Sequence, residues 1–343
     1  MKDHLKSIER GAEFLDQEIE KSDPLAWTQN FTLTDKEAEM IADPEWVFPN
    51  LIIHGHVAVY PAPPNGGKTT IFNWIAGEIA GDYQVFYVNA DISGSDAKLM
   101  QAQAKNKGFT LMLPDMKAGL SMDDVVDNLV AMNQLAQSYD AYVFIFDTLK
   151  KMTNVIHKDR AKELYKTLRG LSAKGMTIVL LAHTNKYNDA DGKPIYEGTG
   201  DLRSDVDELI YLIPKKNDDG SMTVSTEPDK VRGTFKPMTF NISPDRHVSL
   251  ADEFVDIIEA NKMQRQLEDD ETIIQAVNEA ISQEKFKQTE IISHCKDMGI
   301  SGRRQVEKVL NRYSKQPVKL WHKQKAFQNN AIQYLMAETA PPS

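Results

Sequence analysis

One segment of the chain, residues 62–70, combines two glycines with a lysine and two threonines; it reads Ala-Pro-Pro-Asn-Gly-Gly-Lys-Thr-Thr. The apolar run 57–60 precedes it and an apolar-periodic run, 71–76, follows, an order that predicts strand, loop and helix. A helix N-terminus offers unpaired N–H groups and the positive end of its dipole to an anion. The sequence therefore predicts a phosphate-binding loop made of Pro64, Asn65, Gly66, Gly67, Lys68, Thr69 and Thr70.

The last residues of this loop supply different chemistry. The Lys68 ammonium suits the β- and γ-phosphates of a nucleotide, and the Thr69 hydroxyl suits Mg²⁺. The strict pattern begins with glycine six positions before the lysine, where this chain has Ala62. Alanine fits if the backbone there needs no positive φ. A plain glycine-rich turn is the alternative, but the flanking strand and helix favour ATP and Mg²⁺ as cofactors.

Further predicted strands also end in polar residues. The apolar run 142–146 ends in Asp147, a carboxylate placed to hold Mg²⁺ beside the nucleotide. The next strand after the loop, 84–88, leads to Asp91, which would orient the attacking water; a turn or a helix cap is the alternative. The run 176–182 leads to His183 and Thr184, candidate sensors of the γ-phosphate. A histidine buried in the core is the other interpretation of His183.

The segment after Lys186 is long and rich in glycine. Residues 187–201 exceed a minimal connection, so we expect a mobile, functional loop there.

Residues 46–245 resemble the RecA-like ATPase superfamily, and within it the hexameric replicative helicases of the DnaB and plasmid RepA types. The resemblance implies that Asp91 activates water, although the family usually has Glu at this place. It implies that His183 or Thr184 is the polar sensor. It also implies that Lys230 and Arg232, in Lys-Val-Arg-Gly, reach the nucleotide of a neighbouring subunit.

If Lys230 and Arg232 act in this way, each site is completed at a subunit interface, which predicts a head-to-tail ring or filament, with a homo-hexamer as the expected form. A basic turn facing solvent is the alternative. Arg203 is a weaker candidate for reaching the neighbouring nucleotide, since it could equally pair with Asp205 or Asp207.

The C-terminal part has the opposite charge balance from the whole chain. Residues 285–325 carry eleven basic side chains against three acidic ones, a net charge of +8, in a chain of net charge −10. Three helical stretches, 271–283, 287–298 and 302–314, and two short extended runs predict a winged helix. A winged-helix protein–protein module is the alternative. The predicted DNA contacts are Arg303, Arg304 and Lys308 on the third helix, Lys319 and Lys323 in the wing, and Lys186 in the ring.

Composition and length set the remaining bounds. The chain has 343 residues, of which 41% are hydrophobic, enough for one large and one small domain. The lone Cys295 cannot form an internal disulfide, which fits a reducing cytoplasm and a buried thiol. The N-terminus lacks an apolar signal core, and no apolar run is long enough to span a membrane.

Alternating strands and helices predict an α/β fold, a RecA-like mostly parallel sheet with helices on both faces. The expected parts are a helical arm at 1–45, with an irregular entry segment at 43–49, a core at 46–250, a charged linker helix at 251–270 and the winged helix at 271–338.

These features predict an ATP- and Mg²⁺-dependent motor that translocates on DNA, with single-stranded DNA in the centre of the ring and duplex DNA at the winged helix. One alternative is an ATP-switched DNA-binding initiator, loader or regulator that assembles without unwinding. Another is a non-catalytic adaptor with a degenerate site, which Ala62 and Asp91 make conceivable.

Overall fold

The computed structural model describes residues 25–39, 44–92, 94–116, 119–153, 158–189, 192–196, 200–315, 317–326 and 331–337. The chain separates into two compact units, Met1–His54 and Gly55–Ser343. The described part of the first unit contains a 3₁₀ helix and the elements α1 (Asp35–Glu39), β1 (Trp46–Phe48) and β2 (Ile52–Ile53). The antiparallel pair β1–β2 corrects the expectation of an irregular segment at 43–49. The helical periodicity expected before residue 25 lies outside the described residues.

The second unit is built on a ten-stranded sheet. Its strands are β3 (Val57–Ala62), β4 (Gln84–Asn89), β5 (Thr110–Met112), β6 (Tyr142–Asp147), β7 (Thr177–Asn188), β8 (Pro194–Tyr196), β9 (Glu208–Lys216), β10 (Met222–Lys230), β11 (Thr239–Ile242) and β12 (Val248–Leu250). The order is β12-β11-β10-β9-β3-β7-β6-β4-β5, and β8 pairs with the outer end of β7. Six neighbours, from β9 to β5, run parallel, while β10, β11 and β12 add an antiparallel edge.

The helices that flank this sheet connect its parallel strands. They are α2 (Lys68–Ile79), α3 (Gly94–Lys107), α4 (Met122–Gln134), α5 (Leu149–Thr153), α6 (Lys158–Ser172) and α7 (Gly200–Asp205). Helix α4 begins directly after Ser121, because Ser121 and Asp124 form a capping box that satisfies free N–H groups of its first turn.

The central strands are buried over nearly their whole length. Every residue of β3 is buried, as are all residues of β6 except Tyr142. Such continuous apolar strands are typical of parallel sheets covered by helices. Because β3, β4, β6 and β7 run in the same direction, their carboxyl ends meet at one edge of the sheet. The register places Ala62 opposite His183 and Asn89 opposite Asp147 at that edge.

The expected strands and helices of the core are confirmed, with boundaries that shift by a few residues. The segment 187–201 is a correction, because it contains the end of β7, all of β8 and the start of α7 rather than a loop alone. Residues 190, 191 and 197–199 lie outside the described part.

The C-terminal part consists of three helices and a hairpin. The helices are α8 (Ile257–Ser282), α9 (Gln288–Asp297) and α10 (Arg303–Arg312), and the hairpin strands are β13 (Trp321–Lys325) and β14 (Ile332–Met336). The expected separate linker helix and first helix are one continuous helix of 26 residues, α8, which begins at an Asp256 cap. No Gly or Pro interrupts this stretch, so nothing local breaks it.

These three helices enclose a core of their own. Trp321 is fully buried and its Nε1 donates to Asn278 Oδ1 at 2.8 Å, so the hairpin is fixed to α8. Cys295 is buried in the same core, as expected for a structural thiol. Arg312 and the Tyr313 hydroxyl both donate to buried Asp270, which ties α10 to α8.

The predicted fold class is confirmed: an α/β fold with a large, mostly parallel sheet flanked by helices, followed by a small helical part with an antiparallel hairpin. None of the helices in the described part of the chain is long and apolar enough to cross a bilayer.

Candidate nucleotide-binding site

The loop between β3 and α2 has the backbone that the glycine pattern predicts. Gly67 caps α2 with φ of +84°, and a Cβ there would meet Ile242 Cδ1 at 2.7 Å. A Cβ on Gly66 would meet the Pro63 carbonyl oxygen at 2.8 Å. Both positions therefore require glycine. Ala62, by contrast, is the last residue of β3 and pairs with His183 in ordinary strand geometry, which explains why alanine fits there.

Lys68 begins α2 and folds back over this loop. Its Nζ donates to the carbonyl oxygens of Ala62 and Pro63, both at 3.2 Å. The same Nζ lies 3.4 Å from His183 Nδ1. Burial lowers the pKa of Lys68, while the charges of Asp147 and Asp91 act in the opposite direction. The ammonium is held by neutral partners, and it lies where an anion at the helix N-terminus would attract it.

Thr69 and Asp147 meet directly across the site. Thr69 Oγ1 donates to Asp147 Oδ2 at 2.6 Å, which joins the start of α2 to the end of β6. The Tyr87 hydroxyl donates to the same oxygen at 3.0 Å. Burial raises the pKa of Asp147, and the two hydroxyls partly offset that rise by stabilising the carboxylate. Oδ1 is the oxygen that neither hydroxyl engages.

Sequence reasoning missed Tyr87. It lies in the middle of the apolar strand β4 and is fully buried, so its pattern is that of a core aromatic residue. Only the pairing of β4 with β6, which places Tyr87 beside Ile145, brings its hydroxyl to Asp147. Burial and the neighbouring carboxylate raise the pKa of Tyr87, which keeps it a hydrogen-bond donor.

Asp91 follows β4 at the rim of the site. Its backbone N–H donates to Asn89 Oδ1 at 2.9 Å, and its Oδ1 lies 3.4 Å from Lys151 Nζ on α5. The two side chains are 45% and 49% exposed, so their ion pair is worth at most about 1 kcal/mol. Lys151 is a second residue that the sequence did not indicate.

The expected strand end at residue 182 is corrected, because β7 continues to Asn188 and His183 and Thr184 lie within it. One of these two candidate sensors reaches the loop. His183 is the residue that contacts Lys68, whereas Thr184 is buried and its backbone pairs with Tyr196 of β8. Lys186 lies two residues further along β7, and its side chain is outside the described part of the structure.

Lys230 and Arg232 lie at the opposite, amino edge of the sheet. Lys230 Nζ donates to the carbonyl oxygens of Arg203, Ser204 and Val206 at 2.9, 2.9 and 2.6 Å. Arg232 Nη1 lies 3.0 Å from Asp207 Oδ1. Asp207 Oδ2 in turn accepts from the N–H of Val57, the first residue of β3.

The distance between the two edges follows from the length of β3. Five residue steps separate Val57 from Ala62, about 17 Å at 3.3 Å per residue. Lys230 and Arg232 are therefore not brought to the loop of their own chain. Arg203 pairs with Asp229 at 2.9 Å rather than with Asp205 or Asp207, the two partners that the sequence suggested.

A buried charged cluster at this edge also escaped the sequence. Asp207 receives Arg169 Nη1 at 2.6 Å as well as Arg232, and Glu208 pairs through Oε1 with His56 Nδ1 at 2.8 Å. Pairing with Glu208 raises the pKa of His56, and burial raises the pKa of Glu208. No local pattern signals this cluster, because its paired members are 25 to 152 residues apart in sequence.

The predicted DNA contacts of the C-terminal part differ in how they are held. Arg303 is bonded to Glu307 along α10 at 2.9 Å, and Lys323 donates to Asn311 Oδ1 at 2.6 Å. Arg304 and Lys308 are exposed on α10, and Lys319, which precedes β13, is partly exposed. The five cations therefore lie on one helix and on or just before the hairpin strand β13, as the sequence predicted, but two of them have partners within the chain.

Neither a protein-family model nor a curated protein matches the chain. Among solved structures, it is similar to the flagellar accessory protein FlaH from Methanocaldococcus jannaschii, with 14% identity and a TM-score of 0.43. The match covers 59% of this chain and 92% of that chain. A similarity at this level carries no functional argument.

Proposed function

We propose that the chain is an ATP- and Mg²⁺-dependent ATPase that couples hydrolysis to movement on DNA, in the manner of a hexameric replicative helicase of a phage, plasmid or other mobile element. The observation that carries the ATPase part is the contact of Thr69 with Asp147 directly beside the Lys68 loop. This contact places a hydroxyl and a carboxylate, the hard oxygen ligands that Mg²⁺ prefers, beside the helix N-terminus that would bind phosphate.

The residues present fit both groups. The backbone of 66–68 is kept open by glycines at which a Cβ would collide with its neighbours, so the loop can approach phosphate closely. Thr69 and Asp147 would hold Mg²⁺, which supplies charge neutralisation for the phosphates when bound. Lys68 would leave its carbonyl partners for the β- and γ-phosphates, and Tyr87 would keep Asp147 Oδ2 oriented.

Two residues at the rim would complete the chemistry. Asp91 would accept a proton from the attacking water or orient it, once released from Lys151. His183, in contact with Lys68, would detect whether the γ-phosphate is present. The path from His183 along β7 leads to Lys186, which we assign to single-stranded DNA in the centre of the ring.

Lys230 and Arg232 would serve the site of the next subunit. Their position at the opposite edge of the sheet supports action between subunits, because the length of β3, about 17 Å, lies between that edge and their own loop. Positive side chains at a transferred phosphoryl group contribute about 10³–10⁵ in rate in comparable enzymes. This arrangement requires a head-to-tail assembly, for which we propose a hexamer.

The C-terminal helices and hairpin would act as a winged helix on duplex DNA. Its exposed cations would contact phosphates and position α10 at a groove. They are Arg303, Arg304, Lys319 and Lys323.

One observation favours a second candidate. Asp91 has a shorter side chain than the glutamate usual in such sites, and Lys151 occupies it in this structure. A chain in which Asp91 stays paired for most of the time would hydrolyse ATP slowly and assemble on DNA without unwinding it, as an initiator, loader or regulator does.

Three readouts on the full chain separate these functions. ATP hydrolysis stimulated by single-stranded DNA together with strand separation supports the motor. Hydrolysis without strand separation supports the switch, and ATP binding without turnover leaves only an adaptor.

A further inference from the structure

A cleft of about 770 Å³ lies beside the phosphate loop, between the core and the C-terminal helices. Pro63 and Pro64 of the loop and Thr184 of β7 form one side, and α8 and α10 form the other. The residues that grip phosphate, 66–69, do not line it. The cleft is therefore a separate space that shares one wall with the nucleotide-binding loop.

The helical side of the cleft carries unneutralised positive charge. Lys262 and Arg265 lie three residues apart on one face of α8, and Lys308 faces them from α10. Within the described part of the chain, Arg265 and Lys308 form no ion pair, and Lys262 has only a loose one, 3.9 Å from Glu259. Asp269 and Asp270 also line the cleft; apart from Asp270 and Arg312, which pair with each other, one negative side chain stands against three positive ones.

A fourth cation in this wall has a different role. Arg312 is bound to buried Asp270, which also accepts the Tyr313 hydroxyl. This pair neutralises itself and fixes α10 against α8. The separation between Lys308 and the two cations of α8 is therefore set by a buried contact rather than by flexible side chains.

The other lining residues indicate what the positive charge would meet. Asn185 on β7 and Gln305 on α10 offer amide donors and acceptors, which suit phosphate and sugar oxygens. Among the described residues, no aromatic side chain lines the cleft, so this part of the chain offers no platform on which bases stack. Its volume falls within the range of about 300–1,000 Å³ found for small-ligand sites, room for a short stretch of one strand and not for a duplex.

We propose that this cleft binds the sugar–phosphate backbone of a single nucleic-acid strand through Lys262, Arg265 and Lys308. The inference rests on the proposed function and places its single-stranded substrate beside the nucleotide. Contacts to phosphate without base stacking make the binding tolerant of sequence and strongly dependent on salt. Since Pro63 also accepts a hydrogen bond from Lys68, strand and nucleotide meet at the same residue.

The test is the salt dependence of oligonucleotide binding by the full chain. Fluorescence anisotropy with labelled oligo(dT) is measured over a series of salt concentrations for the wild type and for a Lys262→Ala/Arg265→Ala variant. Each lost phosphate contact on a single strand removes about 0.7 from the slope of log K against log salt. We expect the slope to become shallower by about 1.4, with the same change on mixed-sequence strands.

The matched control is Lys98→Ala/Lys105→Ala, which removes two exposed cations from α3, away from the cleft. It should keep the wild-type slope. A Lys262→Gln/Arg265→Gln variant, which keeps most of the side-chain length, should reproduce the alanine result. Size-exclusion chromatography of each variant shows whether assembly is preserved.

The proposal is overturned if the cleft variants bind oligo(dT) with the wild-type slope, or if the wild type binds no single strand. It is also overturned if the variants lose assembly while the assembled fraction binds normally, because the cleft then receives a second copy of the chain. ATP hydrolysis measured without nucleic acid keeps the two proposals apart. If the chain hydrolyses no ATP but the cleft variants still change its binding of oligo(dT), the proposed ATPase activity is refuted. The assignment of the cleft to a single strand then remains.

Discussion

Thr69 Oγ1 and Asp147 Oδ2 are 2.6 Å apart, although 78 residues separate them in sequence. The contact exists because only β7 lies between β3 and β6 in the sheet, and β3 and β6 end at the same edge. It places a carboxylate beside the first turn of α2, in a position where burial disfavours its charge. A carboxyl group whose pKa is raised by burial in this way is typical of a functional site.

Replacing Tyr87 with Phe should weaken the metal site more than the fold. The change removes one of the two hydroxyls that donate to Asp147 Oδ2, a loss of about 0.5–1.5 kcal/mol in unfolding free energy. Partners of this kind typically alter metal affinity by about 10–100-fold. We expect the Mg²⁺ concentration for half-maximal ATP hydrolysis to rise within that range.

Tyr142→Phe is the matched control for this prediction, since Tyr142 lies at the opposite end of β6 from Asp147. It should leave the Mg²⁺ dependence unchanged. An unaltered Mg²⁺ dependence in Tyr87→Phe would show that the tyrosine only fills space.

Asp91→Asn should separate binding from hydrolysis. The amide cannot accept a proton from water, so turnover should fall by about 10²-fold or more while ATP affinity changes little. Lys151→Ala removes the partner of Asp91 without touching its carboxylate. Since this exposed pair is worth at most about 1 kcal/mol, we expect Lys151→Ala to raise turnover by up to about fivefold.

The two changes are measured together by steady-state ATPase assays and by fluorescent nucleotide titration. Equal turnover in Asp91→Asn and wild type would remove Asp91 from the chemistry.

Arg232→Ala should inactivate a neighbour rather than its own site. Arg232 is bound to Asp207, which keeps Arg169 and the Val57 N–H as partners when Arg232 is removed, so the melting temperature should change little. Arg232→Ala and Lys68→Ala proteins should each be inactive alone. Mixed assemblies should regain activity, because a Lys68→Ala subunit offers its Arg232 to an intact loop.

Arg203→Ala, which breaks the Arg203–Asp229 pair near the same edge, is the control and should remain active on its own. If co-assembly is demonstrated and no activity returns in the mixture, Arg232 does not act between subunits.

The His56–Glu208 pair should make stability fall as the pH rises. Pairing with Glu208 raises the pKa of His56 above 6.5, and burial raises the pKa of Glu208; Asp207 adds to the first shift and Arg232 opposes it. A group whose pKa is raised on folding stabilises the fold below its unfolded pKa, and this contribution is lost as the pH rises through the folded value. The free energy of unfolding should therefore decline above about pH 6.5.

Urea denaturation at about pH 6 and about pH 9 measures this decline. The double variant His56→Gln/Glu208→Gln, which removes both titrating groups of the pair and leaves neither of them without its partner, should show a flatter profile. Parallel profiles for variant and wild type would assign the pH dependence to other groups.

Local patterns were enough to predict the phosphate loop, the end of β6 and Asp147, but not the end of β7, which continues to Asn188 beyond the predicted end at 182. A glycine pair before Lys-Thr requires a particular backbone, and an apolar strand that ends in a carboxylate exposes that carboxylate at the sheet edge. The change in charge pattern near residue 270 predicts two helices, whereas the structure has the single helix α8. Charged residues indicate which faces of a helix are exposed, but they do not end it. Helix α8 continues past residue 270 because no Gly or Pro interrupts it.

Tyr87, Lys151 and the Asp207 cluster could not be predicted for a common physical reason. Each depends on which strands become neighbours, and strand order is set by packing over the whole sheet rather than by nearby residues. Tyr87 has the same local pattern as any buried aromatic residue in a strand. Its role follows only from the place of β4 beside β6.

Mg²⁺-dependent ATP hydrolysis by the assembled wild-type chain, compared with Lys68→Ala and Asp147→Asn, tests the central claim most directly. The account predicts turnover in the wild type that requires Mg²⁺ and falls by at least about 10²-fold in each variant, as for loss of one group that stabilises developing charge. Asp147→Asn should unfold no more easily than the wild type, since it replaces a buried charge with a neutral amide. A wild-type chain that neither binds nor hydrolyses ATP with polynucleotide present, or variants that match its turnover, would contradict the account.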